Sequence, residues 1–244
     1  MLNRFVTVAF TAMLFSTSVG TSLAGSGPGP GHGPGGANGP VPGSNRQLEP
    51  LTAAEEADLL FMREEEKLAR DSYAVFADEF KMLIFSNISR SEQMHMDTVK
   101  RIIDKYGLDD PVEAKPEPGE FVNDNLQTLY DDLVARGLVT YKDALKIGAE
   151  IEEMDIIDLV DAIALVSPDH DDIIKAYGIL LCGAYNHLRA FVKNIELDGV
   201  PYSPVFLKPL DLDAIVDAPM ERDCGNGDGK QSRKRNSKGP GTGN

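Results

Sequence analysis

The sequence is short of cysteine, with only Cys182 and Cys224 among 244 residues. Two thiols cannot build a scaffold of several disulfides, and their spacing excludes a Cys-x-x-Cys metal site. An oxidising compartment would permit a single bridge between them. The place of Cys224 in a Gly-rich, basic tail favours instead that it stays unpaired.

Basic residues are also scarce, with 24 Lys and Arg against 39 Asp and Glu. Residues 25–221 hold 17 of the basic and 37 of the acidic residues, a net charge of −20. A surface this acidic repels a phosphate backbone, which excludes nucleic acid as a partner. It suits the attraction of metal cations, although a merely well-solvated surface has the same composition.

Signatures of several enzyme classes are absent as well. The chain has no Gly-x-x-x-x-Gly-Lys-Ser/Thr phosphate loop, no Gly-x-Ser-x-Gly and no His-Glu-x-x-His. These motifs are typical of nucleotide-binding enzymes, serine hydrolases and zinc proteases. Any chemistry must therefore come from residues that only the fold brings together.

Residues 1–24 have the pattern of a secretory signal peptide. One positive charge, Arg4, precedes an apolar run from Phe5 to about Val19, and small residues follow it. The run is short for a membrane span. We therefore expect an exported mature protein without a membrane span, located in the periplasm, at the cell surface or outside the cell. An uncleaved anchor is the alternative.

Both ends of the mature chain have compositions typical of disorder. Residues 25–45 contain nine Gly and five Pro, which predicts a disordered linker over residues 25–49. Residues 222–244 are Gly-rich and basic, which predicts a disordered tail. Pro201, Pro204 and Pro209 predict that residues 199–221 wrap the domain in extended form.

Four long stretches have the apolar spacing of amphipathic helices. We expect an all-α protein, with an antiparallel four-helix bundle over residues 50–198. A long segment, residues 107–139, connects the second and third helices and contains one short helix. The predicted long helices are Thr52–Phe80, Ile84–Tyr106, a stretch from Thr140 through Ile163, and Ser167 to about Leu197.

Each apolar stripe is interrupted near its middle by an acidic or imidazole side chain. Burying such a group is costly unless it is paired or bound to a metal. The interruptions, in chain order, are Glu66; Glu92 and His95, one turn apart; Glu152, with Asp155 at its border; and His187. Other polar residues lie outside these apolar stripes and are expected to face solvent: Glu64, Glu65, Glu150, Glu153, Asp158 and His170.

Helices of about 30 to 42 Å can bring their middle residues to one level. Several carboxylates packed there would repel one another and shift towards protonation, whereas two metal ions would neutralise them. The ligand types suit iron or manganese, and zinc would also be accepted. The alternative is a set of buried polar networks in which each Glu bonds to a Tyr, Arg or His. The predicted ligands are Glu66, Glu92, His95, Glu152, Asp155 and His187.

Four short runs resemble the metal-binding segments of rubrerythrins. Residues 66–73 resemble the first-helix pattern Glu-x-x-Ala-Arg-x-x-Tyr, and residues 91–95 contain the second-helix Glu-x-x-His. Residues 152–155 and 186–188 resemble the third-helix Glu and the closing His. The likeness spans about residues 52–197 and extends to the ferritin-like superfamily, most closely to a ferritin-like domain family of bacteria and archaea, mostly of unknown function.

The resemblance implies an up-down-down-up ferritin-like bundle with two non-haem irons. Catalysis would then be oxidoreductase chemistry on O2 or peroxide, with an external electron donor, since no rubredoxin-like four-cysteine module is present. Ala184 stands where the fourth-helix Glu usually precedes the His by three, so the implied site has one carboxylate fewer. Non-catalytic metal sequestration, a metal-free interaction module of the cell envelope and a homodimer remain open.

Overall fold

The computed structural model describes residues 48–197, 199, 201–222 and 224, which lie in one compact unit, Arg46–Asn244. No strand occurs among these residues, so the all-α prediction is confirmed. The described elements are α1 (Ala53–Phe80), α2 (Leu83–Tyr106), α3 (Pro111–Ala114), α4 (Asp124–Gly137), α5 (Tyr141–Leu165), α6 (Asp171–Glu196) and α7 (Pro209–Val216).

The predicted signal peptide, residues 1–24, lies outside the described residues, as do most of the predicted linker and basic tail. Among the helices that the structure describes, none combines the length and apolar character needed to cross a lipid bilayer.

The start of α1 is fixed by a capping box and by a contact with the α5–α6 connection. The backbone N–H of Glu55 donates to the Thr52 hydroxyl, and the Glu55 carboxylate accepts from the Thr52 N–H. The same carboxylate accepts from the Ser167 N–H and lies 2.7 Å from Nδ1 of His170. Our expectation that His170 is exposed is therefore wrong. The fourth long helix begins at Asp171, after this anchor, and not at Ser167.

α1 and α2 are separated by only two residues and run in opposite directions. The Ser89 hydroxyl of α2 donates to the Arg70 carbonyl of α1. About two turns before Arg70, Arg63 binds Asp110, which follows α2. Arg63 precedes Arg70 in the chain, whereas its partner Asp110 follows Ser89. The two helices are therefore antiparallel.

α1 runs opposite to α5 as well, and α6 runs opposite to α2. Tyr73, late in α1, contacts Gly148, early in α5, whereas Glu55 contacts the chain just after α5. Between α2 and α6, His187 contacts Ser91, and Lys105 contacts Asp172. Helices α1 and α6 therefore point one way, and α2 and α5 point the other.

The interior contains two apolar clusters separated along the bundle by a polar level. On α1, Leu59 and Met62 belong to one cluster, Leu68 and Phe76 to the other, and Glu66 lies between them. The same alternation occurs on α2, where Glu92 and His95 lie between Ile88 of one cluster and Val99 of the other. The apolar clusters hold the helices together by burying hydrocarbon surface, and they enclose the polar level from both ends.

The connection from α2 to α5 packs against the outer face of α1. Glu64 accepts hydrogen bonds from the N–H groups of Val122 and Asn123, so our expectation that Glu64 faces solvent is wrong. α4 occupies the predicted place of the short helix. This connection covers a face of α1 that helical periodicity assigns to solvent.

The C-terminal segment covers α5 in a similar way. Glu153 is buried because it accepts from the Tyr202 hydroxyl and from the N–H groups of residues 205–207. We expected Glu153 to face solvent and residues 199–221 to be extended. Both expectations are corrected, the second because Pro209–Val216 form α7.

Three further expectations change. Cys182 and Cys224 form a disulfide, so Cys224 is not unpaired. Glu65 is buried beside Asp158, which is half-buried. Glu150 is buried against Arg136, whose guanidinium donates two hydrogen bonds to its carboxylate.

Candidate metal centre

Five of the six predicted ligands meet at the polar level between the two apolar clusters. None of the five is more than 8% exposed, so water does little to screen their charges. They come from all four long helices: Glu66 from α1, Glu92 and His95 from α2, Glu152 from α5 and His187 from α6.

Glu92 lies at the centre of this arrangement, with one imidazole near each oxygen. Its Oε2 is 2.7 Å from Nδ1 of His95, and its Oε1 is 2.8 Å from Nδ1 of His187. Glu66 approaches His95 to 3.2 Å on one side, and Glu152 approaches His187 to 3.4 Å on the other. The two halves are thus alike, each with one imidazole, one terminal carboxylate and a share of Glu92.

Each half brings three ligand atoms within 4.8 Å of one another. Glu66, Glu92 and His95 form the first group, and Glu92, Glu152 and His187 form the second. Two cations that share a carboxylate are arranged in this way in carboxylate-bridged sites of four-helix bundles. The set of oxygen and imidazole donors fits iron, manganese or zinc.

Asp155 lies outside both groups, although it is buried one turn from Glu152 and its charge acts on the centre. On α6, Ala184 is buried where the resemblance places a carboxylate. Each group therefore offers three ligand atoms that could hold an ion, and Asp155 belongs to neither group.

Several buried atoms of the cluster have no hydrogen-bond partner in the described protein. They are Oε1 of Glu66, Oε1 of Glu92, Nδ1 of His187 and Oδ1 of Asp155. Although Nδ1 of His187 and Oε1 of Glu92 are close, their geometry is not that of a hydrogen bond. A buried atom without a hydrogen-bond partner, such as Oε1 of Glu66 or Oδ1 of Asp155, costs about 1 to 3 kcal/mol. A cation bound among them would remove that cost, so the donor set fits a metal.

Two hydroxyl groups position the ligands from outside. Tyr73 donates to Oε1 of Glu152 over 2.6 Å, which leaves the other oxygen of Glu152 facing His187. Ser91 lies 2.9 Å from Nε2 of His187. A hydrogen bond at the outer nitrogen sets which imidazole nitrogen can bind a metal. Both contacts therefore hold their ligands with Nδ1 of His187 and one Glu152 oxygen facing the cluster.

The charges of the cluster are strongly coupled. Burial raises the pKa of Glu66 to about 7, against the opposing effect of His95. Burial also raises the pKa of Glu92, but the imidazoles of His187 and His95 outweigh it and hold the pKa below its usual value. Burial lowers the pKa of His187, yet Glu92 and Glu152 raise it to about 10. Protons on the imidazoles thus balance the carboxylates, and a bound cation would displace them.

Gly183 provides the space that His95 occupies. A Cβ atom at residue 183 would lie 2.4 Å from Nε2 of His95, closer than side chains pack. The periodicity of a single helix could not predict this role of Gly183, because the contact joins Gly183 of α6 to His95 of α2. Tyr73 was visible from its place on the apolar stripe, but its bond to Glu152 was not.

We predict that Gly183→Ala displaces the His95 ring and weakens metal binding at the position formed by Glu66, Glu92 and His95. One bound ion per chain instead of two is the expected result, measured by metal analysis of the purified variant. Gly178→Ala on the same helix is the matched control, since a Cβ there meets no atom within 4 Å. Two ions retained in Gly183→Ala would contradict the role assigned to this glycine.

The described residues thus define a class, an all-helical bundle with a buried carboxylate–imidazole cluster between two apolar regions. The chain belongs to the family described as an uncharacterized protein domain, DUF2202, which its residues 55–219 match. All five clustered ligands lie within the matched residues.

A protein similar to this chain has a known structure. The uncharacterized protein MJ0754 of Methanocaldococcus jannaschii is 41% identical over 174 residues, which cover 71% of this chain and 92% of that protein. The crystal structure of hypothetical protein MJ0754 is similar to this fold with a TM-score of 0.68 at 40% identity, covering 71% of this chain and 98% of that chain.

Proposed function

We propose that this protein is an exported, ferritin-like metal-binding protein whose centre holds two iron ions. One observation carries the proposal: Glu92 belongs to both groups of converging ligands and has a buried oxygen without a hydrogen-bond partner. Simple polar networks satisfy their members, whereas this cluster leaves an oxygen of Glu66 without a hydrogen-bond partner and an oxygen of Glu92 with only an ion pair to His187.

The helix directions support the ferritin-like part of the proposal. α1 and α6 point one way and α2 and α5 the other, as judged from contacts such as Tyr73–Gly148 and Ser91–His187. This is the up-down-down-up order expected from the resemblance, with the long connection between α2 and α5.

Iron is favoured over other metals by the mixed donors. Carboxylate and imidazole ligands with positions left open are typical of non-haem iron sites, and three protein ligands at each position would leave room for a further ligand. Manganese and zinc are the closest competitors for the same donors. Glu66 and His95 would hold one ion, Glu152 and His187 the other, and Glu92 would be shared.

Bound iron would supply electron transfer to O2 or a peroxide, the chemistry of an oxidoreductase. The chain's own residues would position the ligands and keep water away. Tyr73 holds Glu152, Ser91 holds His187, and Gly183 leaves room for His95. Phe191 packs on the Tyr73 ring at 5.3 Å and closes one side.

Non-catalytic metal sequestration is the second candidate, favoured by Ala184. A carboxylate is missing where the resemblance places one, and the buried Ala184 offers no ligand atom. A centre with fewer ligands suits binding and release of a metal as well as catalysis.

Export is supported by two observations. The disulfide between Cys182 and Cys224 suits an oxidising compartment, since disulfides are rare where thiols are kept reduced. The pattern of residues 1–24 points to the same compartment.

We predict that the full mature chain, purified and incubated anaerobically with Fe²⁺, retains two iron ions per chain after gel filtration. Binding to the folded state alone adds about 2.7 kcal/mol of stability at a hundredfold excess over Kd. We therefore expect the melting temperature to rise by about 5 to 10 °C.

Consumption of hydrogen peroxide in the presence of a chemical reductant then separates the candidates. Turnover supports an oxidoreductase, and two ions without turnover support sequestration. A chain that retains no iron, manganese or zinc, with a melting temperature indifferent to all three, would contradict the proposal and favour a metal-free interaction module.

A further inference from the structure

α5 carries an acidic residue at every third position outward from the metal centre. Glu152, Asp155, Asp158 and Asp161 follow one another in this way, and residues three apart lie on neighbouring parts of one helix face. Exposure increases along the stripe: Glu152 and Asp155 are buried, Asp158 is half-buried and Asp161 is exposed. The stripe thus links the buried centre to the surface.

α1 adds a further carboxylate to this stripe. Glu65 is buried next to the ligand Glu66, and the charge of Asp158 acts on it. The charges of Asp155 and Glu66 also act on Glu65. Glu65 and Asp155 therefore connect the half-buried Asp158 to the ligands of the centre.

Two oxygens of this stripe are unpartnered. Oε2 of Glu65 and Oδ1 of Asp155 have no hydrogen-bond partner in the described protein, although their side chains are only 7% and 6% exposed. A buried carboxylate oxygen without a partner is costly. Both oxygens are available to a cation, and neither belongs to the two ligand groups of the centre.

The spacing of these carboxylates suits the passage of a cation better than its retention. Among the described residues, each group that brings three ligand atoms within 4.8 Å lies at the centre, and neither contains Glu65, Asp155 or Asp158. A path conducts ions when its sites attract them enough to enter but hold them weakly enough to leave. One or two carboxylates at each step meet that condition.

We propose that Asp161, Asp158, Glu65 and Asp155 form the path by which divalent cations enter the centre. The inference rests on the proposed function, because a path needs a metal centre at its end. A cation is first attracted at Asp161, passes Asp158 and Glu65, and reaches Glu66 and Glu152 beside Asp155. The residues of the path affect how fast metal arrives, and those of the centre determine how much stays.

The test is the rate of Co²⁺ uptake by the metal-free full chain, followed by stopped-flow absorbance. We expect Asp158→Asn to slow uptake about tenfold, the lower end of the effect of focused charge on association rates, while the final Co²⁺ per chain is unchanged. Asn keeps the size of the side chain and removes its charge. The double variant Asp158→Asn/Asp161→Asn is expected to be slower still.

Asp169→Asn is the matched control, since it removes the same charge from an exposed residue outside the stripe. Its uptake rate is expected to stay within about twofold of wild type. Equal rates in Asp158→Asn and Asp169→Asn, with wild-type Co²⁺ content in both, would overturn the path and leave the centre intact. A wild-type chain that takes up no Co²⁺ would overturn the centre and the path together.

Discussion

Glu92→Gln is expected to lose both metal ions, whereas Glu66→Gln and Glu152→Gln are each expected to lose one. The reason is the shared position of Glu92, whose two oxygens face His95 and His187. Glutamine keeps the size of the side chain but replaces one oxygen with an NH2 group that cannot bind a metal. Gln also removes the negative charge that both positions share, so the substitution weakens both, whereas each terminal variant weakens a single position.

The measurement is metal content per chain after incubation with Fe²⁺ and gel filtration, for wild type and each variant. Glu150→Gln is the matched control, a buried carboxylate on α5 that binds Arg136 away from the centre. It is expected to keep two ions. Equal metal in Glu92→Gln and wild type would refute the shared ligand, and identical losses in all three variants would refute the division into two positions.

Lys67→Met is expected to lower the free energy of unfolding by about 3 to 5 kcal/mol, the usual cost of removing one partner from a buried ion pair. The Lys67 side chain is fully buried, and its Nζ donates to Asp71 and to the carbonyls of Glu117 and Glu120. Methionine fills the space but leaves the Asp71 carboxylate without its lysine and two carbonyls without a donor.

Urea denaturation followed by circular dichroism measures this effect. Lys175→Met is the control, since its pair with Asp171 on α6 is exposed and such pairs contribute less than about 1 kcal/mol. Similar midpoints for Lys67→Met and Lys175→Met would show that Lys67 does not anchor the connection between α2 and α5.

The long helices and five of the residues at the centre could be predicted from the sequence. A Glu or His on an apolar stripe stands out because its burial is costly without a partner or a metal. Glu66, Glu92 and His187 were visible for this reason. The end of α1 and the start of α2 were visible as well, because the apolar spacing breaks around Lys81.

The outer faces of the helices could not be predicted in the same way. Glu64 and Glu153 have partners in the connecting segments, Asn123 and Leu207. His170 lies in a connection itself and contacts Glu55 in the first turn of α1. Helical periodicity reports which face of a helix meets other long helices, but it does not show where a connection or a C-terminal segment will lie. These residues therefore looked solvent-exposed.

Contacts between helices are a second feature that could not be predicted from the sequence. The need for Gly183 depends on how closely α6 approaches His95 of α2, and that distance follows from the packing of many side chains. The position of Asp155 outside both ligand groups has the same origin. Spacing along one helix placed Asp155 within a turn of Glu152, but only the arrangement of four helices decides which oxygens converge.

The most direct test of the account is anomalous X-ray diffraction from crystals of the full mature chain grown with Fe²⁺. Two iron peaks are expected, one bound by Glu66 and His95 and the other by Glu152 and His187, with Glu92 between them. A single peak would contradict the paired centre. The absence of any iron peak among these five side chains, with their positions otherwise unchanged, would contradict metal binding itself.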